Sequence, residues 1–365
     1  ASAGRLGSLL REDRFDIMRA TFVVVDEADK LLTEEDRNNS RPGMQSPLEI
    51  LKAQTRTEKQ MTLFTATWEE KDMKGRLGQV NFRRGLQVRV GGPDLSACKD
   101  VSQFFWCSSK RDDASHEGWE LGETRDDALV KAVKFVTEEA TTNEAKAMSK
   151  VLIFVNAHRD AVGNVNRLVD VINDAAILEE GEVLGFVRQE DGRRWESSSD
   201  IAFRNFKDSS CPRPRVLIST DVLSRGFDCP CCEYVINYDM PDGKNAILNY
   251  IHRIGRTGRG GRQGFSLTLM DELDLRHAEK LHNLLQKSGS DVHIPHWLRE
   301  VAQRGVGKYW SMWKERLDRE GVGQASPRVT PSPPASVVNA PRPSRNFAFP
   351  LPDYQSEERM KFPPL

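Results

Sequence analysis

The sequence predicts an α/β fold of two doubly wound parallel-sheet lobes, and three observations carry that prediction. Short apolar runs rich in β-branched residues recur along the chain, each ending abruptly at a polar residue. Amphipathic stretches of helical period fill the intervals between them. Strands alternating with helices in this way build parallel sheets covered on both faces. At 365 residues the chain can fill two such lobes, each with its own core.

The first run, Phe22-Val-Val-Val25, ends in Asp26, Glu27 and, after Ala28, Asp29. Four apolar residues in a row fit a strand buried on both faces. The acids then fall at its carboxyl end, where open α/β sheets place ligands. Adjacent carboxylates repel unless a cation offsets them, and Mg²⁺ on a nucleotide phosphate suits. A plain acidic helix N-terminus is the alternative reading. Further strands are expected at 61–64 before Thr65, at 151–155 before Asn156 and at 216–218 before Ser219 and Thr220. Two more are expected at 234–236 before Asn237 and at 265–269. Helical period marks 128–139, 160–173, 200–206 and 273–286.

The rhythm breaks in three places. Residues 96–127, polar after Gly91-Gly-Pro93, read as a linker or insertion between the lobes. Residues 179–199 are rich in Glu, Arg and Ser and read as a surface insertion. From 305 onward the chain reads as a disordered tail, since ten of its 18 prolines lie beyond Ser326. Tyr309, Trp310 and Trp313 could form a short helix that caps the second lobe or meets a partner.

Composition narrows the function classes. The net charge of -1 gives no global basic field, so a nucleic-acid partner would need a local basic groove. No apolar stretch reaches the ~20 residues of a membrane span, and the start shows no signal-peptide pattern. Six cysteines in a chain this long are not a disulfide framework, which suggests a reducing, intracellular compartment. Cys229, Cys231 and Cys232 cluster around Pro230, but no second Cys/His pair stands at zinc-ligand spacing.

The segment from Tyr250 to Gly261 sets Arg253, Arg256 and Arg259 three residues apart with glycines between. Close backbone packing would let the guanidinium groups converge on one anion, with bidentate bonds suited to phosphate. A solvated basic turn is the alternative, and it leaves the His, Gly and Thr at these intervals unexplained.

Together these segments resemble the DEAD-box RNA helicases. Asp26-Glu-Ala-Asp29 is similar to motif II, and His252 to Arg259 to motif VI. Ser2-Ala-Gly-Arg-Leu6 resembles motif Ib, Thr65-Ala-Thr67 motif III and Leu152-Ile-Phe-Val155 motif IV. Ser219 to Asp228 resembles motif V, followed by the family-like Val235 to Pro241. Residues 292–301 resemble the segment that commonly closes the second lobe. The resemblance covers about 1–304, and six motifs in order make it specific.

It implies two RecA-like lobes: the carboxyl half of a first lobe over 1–95 and a complete second lobe over 128–304. It also implies ATP and Mg²⁺ as cofactors, single-stranded or short duplex RNA as partner, and ATP hydrolysis coupled to local unwinding. Carried over, Asp26 would hold Mg²⁺ through water and Glu27 would orient or deprotonate the attacking water. Asp29 would meet His252, with Thr65 and Thr67 relaying the coupling. Asp228 would accept a hydrogen bond from the ribose, while Arg256 and Arg259 would reach the γ-phosphate. Gly4, Arg5 and Thr220 would contact RNA backbone, although for Thr220 a capping hydroxyl is an equally good chemical reading.

Departures are visible. Ala3 replaces a proline in motif Ib. Around Leu184-Gly185 and Gln189 the family's His is missing and Arg193 and Arg194 come late. No Gly-x-x-x-x-Gly-Lys-Ser/Thr phosphate loop occurs: Gly243-Lys244 is followed by Asn245 and Gly307-Lys308 by Tyr309. The expectation is therefore a helicase fragment that starts at motif Ib. A non-catalytic RNA- or partner-binding module is the alternative, with the tail a possible protein-docking element.

Overall fold

A computed structural model describes residues 12, 19–28, 59–65, 86, 88, 97–107, 124–141, 150–157, 160–179, 182–187, 203–211, 215–224, 228–229, 232–243, 245–271, 273–288 and 294–305. The chain divides into two compact units, Ala1–Leu95 and Ser96–Leu365. In the first, β1 (Phe22–Val25) pairs in parallel with β2 (Gln60–Leu63). The expectation of a strand buried on both faces does not hold for β1. Val25 is buried while Phe22 and Val24 are exposed, so among the described residues only one face of the strand is covered.

The second unit is built on six parallel strands in the order β3-β8-β7-β4-β6-β5. They are β3 (Val101–Cys107), β4 (Lys150–Phe154), β5 (Val183–Phe186), β6 (Val216–Ser219), β7 (Cys232–Asn237) and β8 (Gly264–Met270). Alternation along each central strand feeds both faces. Val151, Ile153, Val216, Ile218, Tyr234, Ile236, Leu267 and Leu269 join one cluster, with α1 (Arg125–Thr141) and α2 (Ala161–Asp174) over it. Leu152, Phe154, Leu217 and Val235 face the other way, toward Phe206. At the β3 end that second face carries Val101, Phe105 and Met270. They pack with α3 (Ala246–Ile254), α4 (Ala278–Ser288) and α5 (His296–Arg304), with Trp297 and Leu298 fully buried.

Local signals explain the helix starts. Thr124 and Asp127 form a reciprocal capping box ahead of α1, at 3.1 and 3.2 Å. Asp160 caps α2 by accepting from Gly163 N–H at 2.8 Å. The 273–286 expectation resolves into a 3₁₀ turn, Asp274–His277, followed by α4.

Two expected insertions are corrected. Val101–Cys107, inside the expected 96–127 linker, is the edge strand β3, in register with β8 from Val101↔Gly264 to Cys107↔Met270. Its Phe104 and Trp106 enter one core cluster and Phe105 the other, so burial on both faces outweighs its polar flanks. Val183–Phe186, inside the expected 179–199 insertion, is the strand β5 paired with β6. The remainder of that insertion from 188 to 199 and the expected Pro-rich tail beyond 305 lie outside the described residues, as do Tyr309, Trp310 and Trp313.

Candidate functional site

In the first unit, β1 delivers Asp26 and Glu27 to the carboxyl edge of its sheet. Phe64 N–H donates to Val25 O at 2.8 Å and Ala28 N–H to Phe64 O at 2.9 Å, which carries the pairing one step past both strands. Thr65 therefore emerges at the same edge as Asp26 and Glu27. Asp26 is exposed and its Oδ1 accepts the Glu27 N–H at 2.9 Å. Glu27 holds φ at 50°, a left-handed conformation that costs a non-glycine residue about 1–3 kcal/mol. Such strain is common at functional turns. An exposed carboxylate of this kind is the hard oxygen donor that hydrated Mg²⁺ takes. Asp29 and Thr67, together with Gly4 and Arg5, lie outside the described residues.

The second unit sets Asn156, Thr220 and Asp239 at the carboxyl ends of β4, β6 and β7, whereas the loop of Arg256 and Arg259 lies against Glu233 and Gly264 at the amino ends of β7 and β8. Arg253, on the last turn of α3, is fully buried and turns inward. Its guanidinium donates to both Asp221 oxygens at 2.6 and 2.9 Å, to Asp239 O at 2.7 Å and to Asn156 Oδ1 at 2.8 Å. Asn156 in turn donates to Asp239 Oδ2 and Met240 O, both at 2.9 Å, so three strand ends are tied through one arginine. The expectation that three arginines converge on one anion therefore does not hold for Arg253, whose guanidinium is taken up by these partners.

Arg256 and Arg259 are held differently. Arg256 Nε donates to His252 O at 3.2 Å and Arg259 Nε to Gly255 O at 2.8 Å. Both acceptors are carbonyls at the end of α3, where no further turn would otherwise engage them. Arg259 Nη1 also meets Asp228 Oδ1 at 2.9 Å. This contact brings the Asp228 carboxylate and the Arg259 guanidinium together on one surface of the unit. Thr220 follows β6 directly and is buried; no side-chain hydrogen bond caps the 3₁₀ turn Asp221–Leu223 that it precedes. His252 is buried on the last turn of α3.

A second buried cluster had no signal in the sequence. Arg125, 1% exposed, meets Asp239 at 2.8 Å, Asp271 at 2.7 Å and Asp274 at 3.0 Å. Burial alone would lower its pKa; Asp274, Asp271 and Asp239 overcome that and raise it, so the group stays charged. Asp271 Oδ1 also accepts the Leu273 and Asp274 N–H groups, at 2.9 and 3.1 Å. Sequence reasoning missed this cluster because its members are scattered from 125 to 274.

Of the cysteine cluster, Cys229 and Cys232 pack as apolar side chains do, and Cys231 lies outside the described residues. Cys229 Sγ lies 3.2 Å from Phe206 O and Cys232 Sγ 3.5 Å from Tyr234 O, both buried. Among the described residues no group of His, Cys, Asp or Glu is arranged to hold a metal, and no helix is long and apolar enough to cross a membrane.

Residues 131–261 match the family description "Helicase conserved C-terminal domain". The chain is similar to proteins named as ATP-dependent RNA helicases. It is 27% identical over 308 residues to DEAD-box ATP-dependent RNA helicase 46 of Arabidopsis thaliana, covering 84% of this chain and 40% of that protein. It is 29% identical over 326 residues to the ATP-dependent RNA helicase DBP2 of Ajellomyces capsulatus, covering 89% and 51%. The chain thus spans about half or less of the length of these relatives. Among solved structures, Saccharomyces cerevisiae Dbp5 bound to RNA and ADP BeF3 aligns with a TM-score of 0.56 at 21% identity. That alignment covers 80% of this chain and 62% of that one. The DEAD-box helicase Mss116 bound to ssRNA and UDP-BeF aligns at 0.54 and 20% identity, covering 88% and 59%. Both likenesses show the fold.

Proposed function

We propose that the chain is part of an ATP-dependent RNA helicase, with residues 1–95 the carboxyl half of a first RecA-like lobe and 96–304, β3 included, its second lobe. The observation that carries this reading is the 2.9 Å contact between Arg259 and Asp228. It brings a carboxylate fit to read a ribose beside a guanidinium fit to read a terminal phosphate. Homology to proteins named as ATP-dependent RNA helicases supports the same reading.

In this mechanism Asp228 accepts a hydrogen bond from the ribose, and Arg256 and Arg259 neutralise charge developing on the γ-phosphate. Glu27 orients the attacking water and takes its proton. Asp26 would hold hydrated Mg²⁺, and the cation would supply positive charge to offset the phosphates. Thr65, Thr67, Asp29 and His252 carry the coupling between hydrolysis and RNA clamping. Gly4, Arg5 and Thr220 bind RNA through phosphates and 2′-hydroxyls, so affinity is largely sequence-independent and falls with salt. The 365 residues contain no Gly-x-x-x-x-Gly-Lys-Ser/Thr, so the β-phosphate would be held by sequence outside them.

The first test is RNA-stimulated ATP turnover by residues 1–365, expected near background. Robust turnover would sink the fragment reading. A protein supplying the phosphate loop should hydrolyse ATP, and Glu27→Gln should nearly abolish turnover while RNA clamping with ATP persists. If a protein carrying that loop still clamps RNA without ever hydrolysing ATP, the non-catalytic RNA-binding module is the better reading.

A further inference from the structure

The loop carrying Arg256 and Arg259 rests on two pieces of chain outside every motif segment. Gly258 takes φ of 65°, and a Cβ there would come 2.5 Å from Val101 Cγ2 and 3.1 Å from Asp100 O. Gly264, the first residue of β8, lies against the same loop: a Cβ on it would meet Gly258 N and Thr257 Oγ1, each at 2.3 Å. The two supports are bonded to each other, since Gly264 N–H donates to Asp100 O at 2.8 Å. Val101 N–H donates to Cys98 O at 3.2 Å and closes the turn. Cys98 Sγ reaches Gly258 O at 3.7 Å. A third tie, Thr257 Oγ1 to Glu233 O at 2.8 Å, anchors the loop to β7.

We infer that the Cys98–Val101 turn and Gly264 form a bed that sets where Arg256 and Arg259 present their guanidinium groups, making Val101 and Gly264 positioning residues for the terminal phosphate of a bound nucleotide. The inference rests on the phosphate role proposed above for the two arginines. The division of labour is physical. The end of α3 fixes each arginine stem through a carbonyl, but a helix end alone leaves the following glycines free to move. Val101, 1% exposed and packed against Gly258, removes that freedom from one side. The bare Cα of Gly264 allows the main chain of the loop to approach β8 more closely than any other residue would permit. A methyl at Gly264 would push Thr257 and Gly258 outward, and a methyl-sized gap at Val101 would let them sink. Either displaces a phosphate-binding group whose contribution depends on ångström-scale placement.

The experiment uses the 365-residue chain labelled with ¹⁵N-arginine, with inorganic tripolyphosphate as the anion probe and arginine Nε–H signals as readout. In the unsubstituted chain tripolyphosphate should shift the Arg256 and Arg259 signals and leave those of the buried Arg125 and Arg253 in place. Val101→Ala and Gly264→Ala should move the Arg256 and Arg259 signals before any anion is added and weaken tripolyphosphate binding roughly tenfold. Val101→Ile, which keeps the β-branched shape, should restore both. Failure of tripolyphosphate to move either signal in the unsubstituted chain overturns the phosphate assignment itself. An unchanged response in folded Val101→Ala and Gly264→Ala overturns the bed alone. Equal disturbance of Arg125 and Arg253 also overturns it, because the role would then be one of general stability.

Discussion

Arg125 and Arg253 contrast with Arg256 and Arg259, although all four belong to one unit and two of them are three residues apart. The first pair is buried among side-chain carboxylates: three aspartates around Arg125, and Asp221 gripping Arg253 at both oxygens. The second pair is steered by main-chain carbonyls at the end of α3. Arg259 adds a carboxylate contact that is open to solvent, with Asp228 72% exposed. A guanidinium surrounded by buried carboxylates serves the fold, because leaving it would strand their charge. One oriented by carbonyls has its direction fixed while an incoming phosphate can still compete for its outer nitrogens.

The largest effect is expected where this contrast is strongest. Arg125→Ala leaves Asp239, Asp271 and Asp274 buried without their common partner and should cost about 3–5 kcal/mol, read from denaturant midpoints. A loss below about 1 kcal/mol would mean that the carboxylates are satisfied by other groups. Arg253→Ala should follow at about 2–3 kcal/mol, less because Asp221 can turn to water. Arg253→Lys should recover only part of this, since an ammonium cannot span both Asp221 oxygens.

Arg259→Gln marks the other side of the comparison. It breaks a largely exposed ion pair and should change stability by no more than about 1 kcal/mol, yet weaken tripolyphosphate binding by the chain. Equal damage to stability and binding would erase the distinction between the pairs. The smallest effect concerns pH. Burial first, and then the neighbouring positive charges of Arg276 and Lys280, lower the pKa of His277; Asp242 offsets this in part. Its Nε2 accepts from Arg276 Nε at 3.1 Å, as a neutral ring would. The unfolded chain takes up this proton near pH 6.5 while the folded chain resists. The contribution is therefore full above that value and lost as pH falls through the lower folded pKa. Denaturant midpoints should decline from pH 7.5 to 5.5, and His277→Gln should flatten part of that slope.

Central strands were legible because burial on both faces writes an unbroken apolar run, as in Val151 to Val155 and Val216 to Ile218. The edge strands were not. β3 carries Ser102 and Gln103 within its run, and the buried Gln103 accepts the Tyr250 hydroxyl through its Oε1 at 2.8 Å. β5 contains Gly185, and its neighbours are strongly charged. Of the candidate site, spacing in 252–259 pointed to arginines working together, but the helical turn rotates Arg253 away from the other two. That rotation follows from α3 ending between Arg253 and Arg256, a boundary the apolar pattern did not mark.

The sequence by itself determined the alternation of strands and helices, the order of the motif-like segments and the strand-end position of the acids. These depend on period and composition within a few residues, which the chain displays directly. Only the tertiary structure decided that 101–107 is a sheet edge, that Arg125 gathers three distant aspartates, and that Val101 and Gly264 lie against the arginine loop. Those outcomes depend on which surfaces meet across more than 100 residues of chain, and no local pattern encodes a partner that far away.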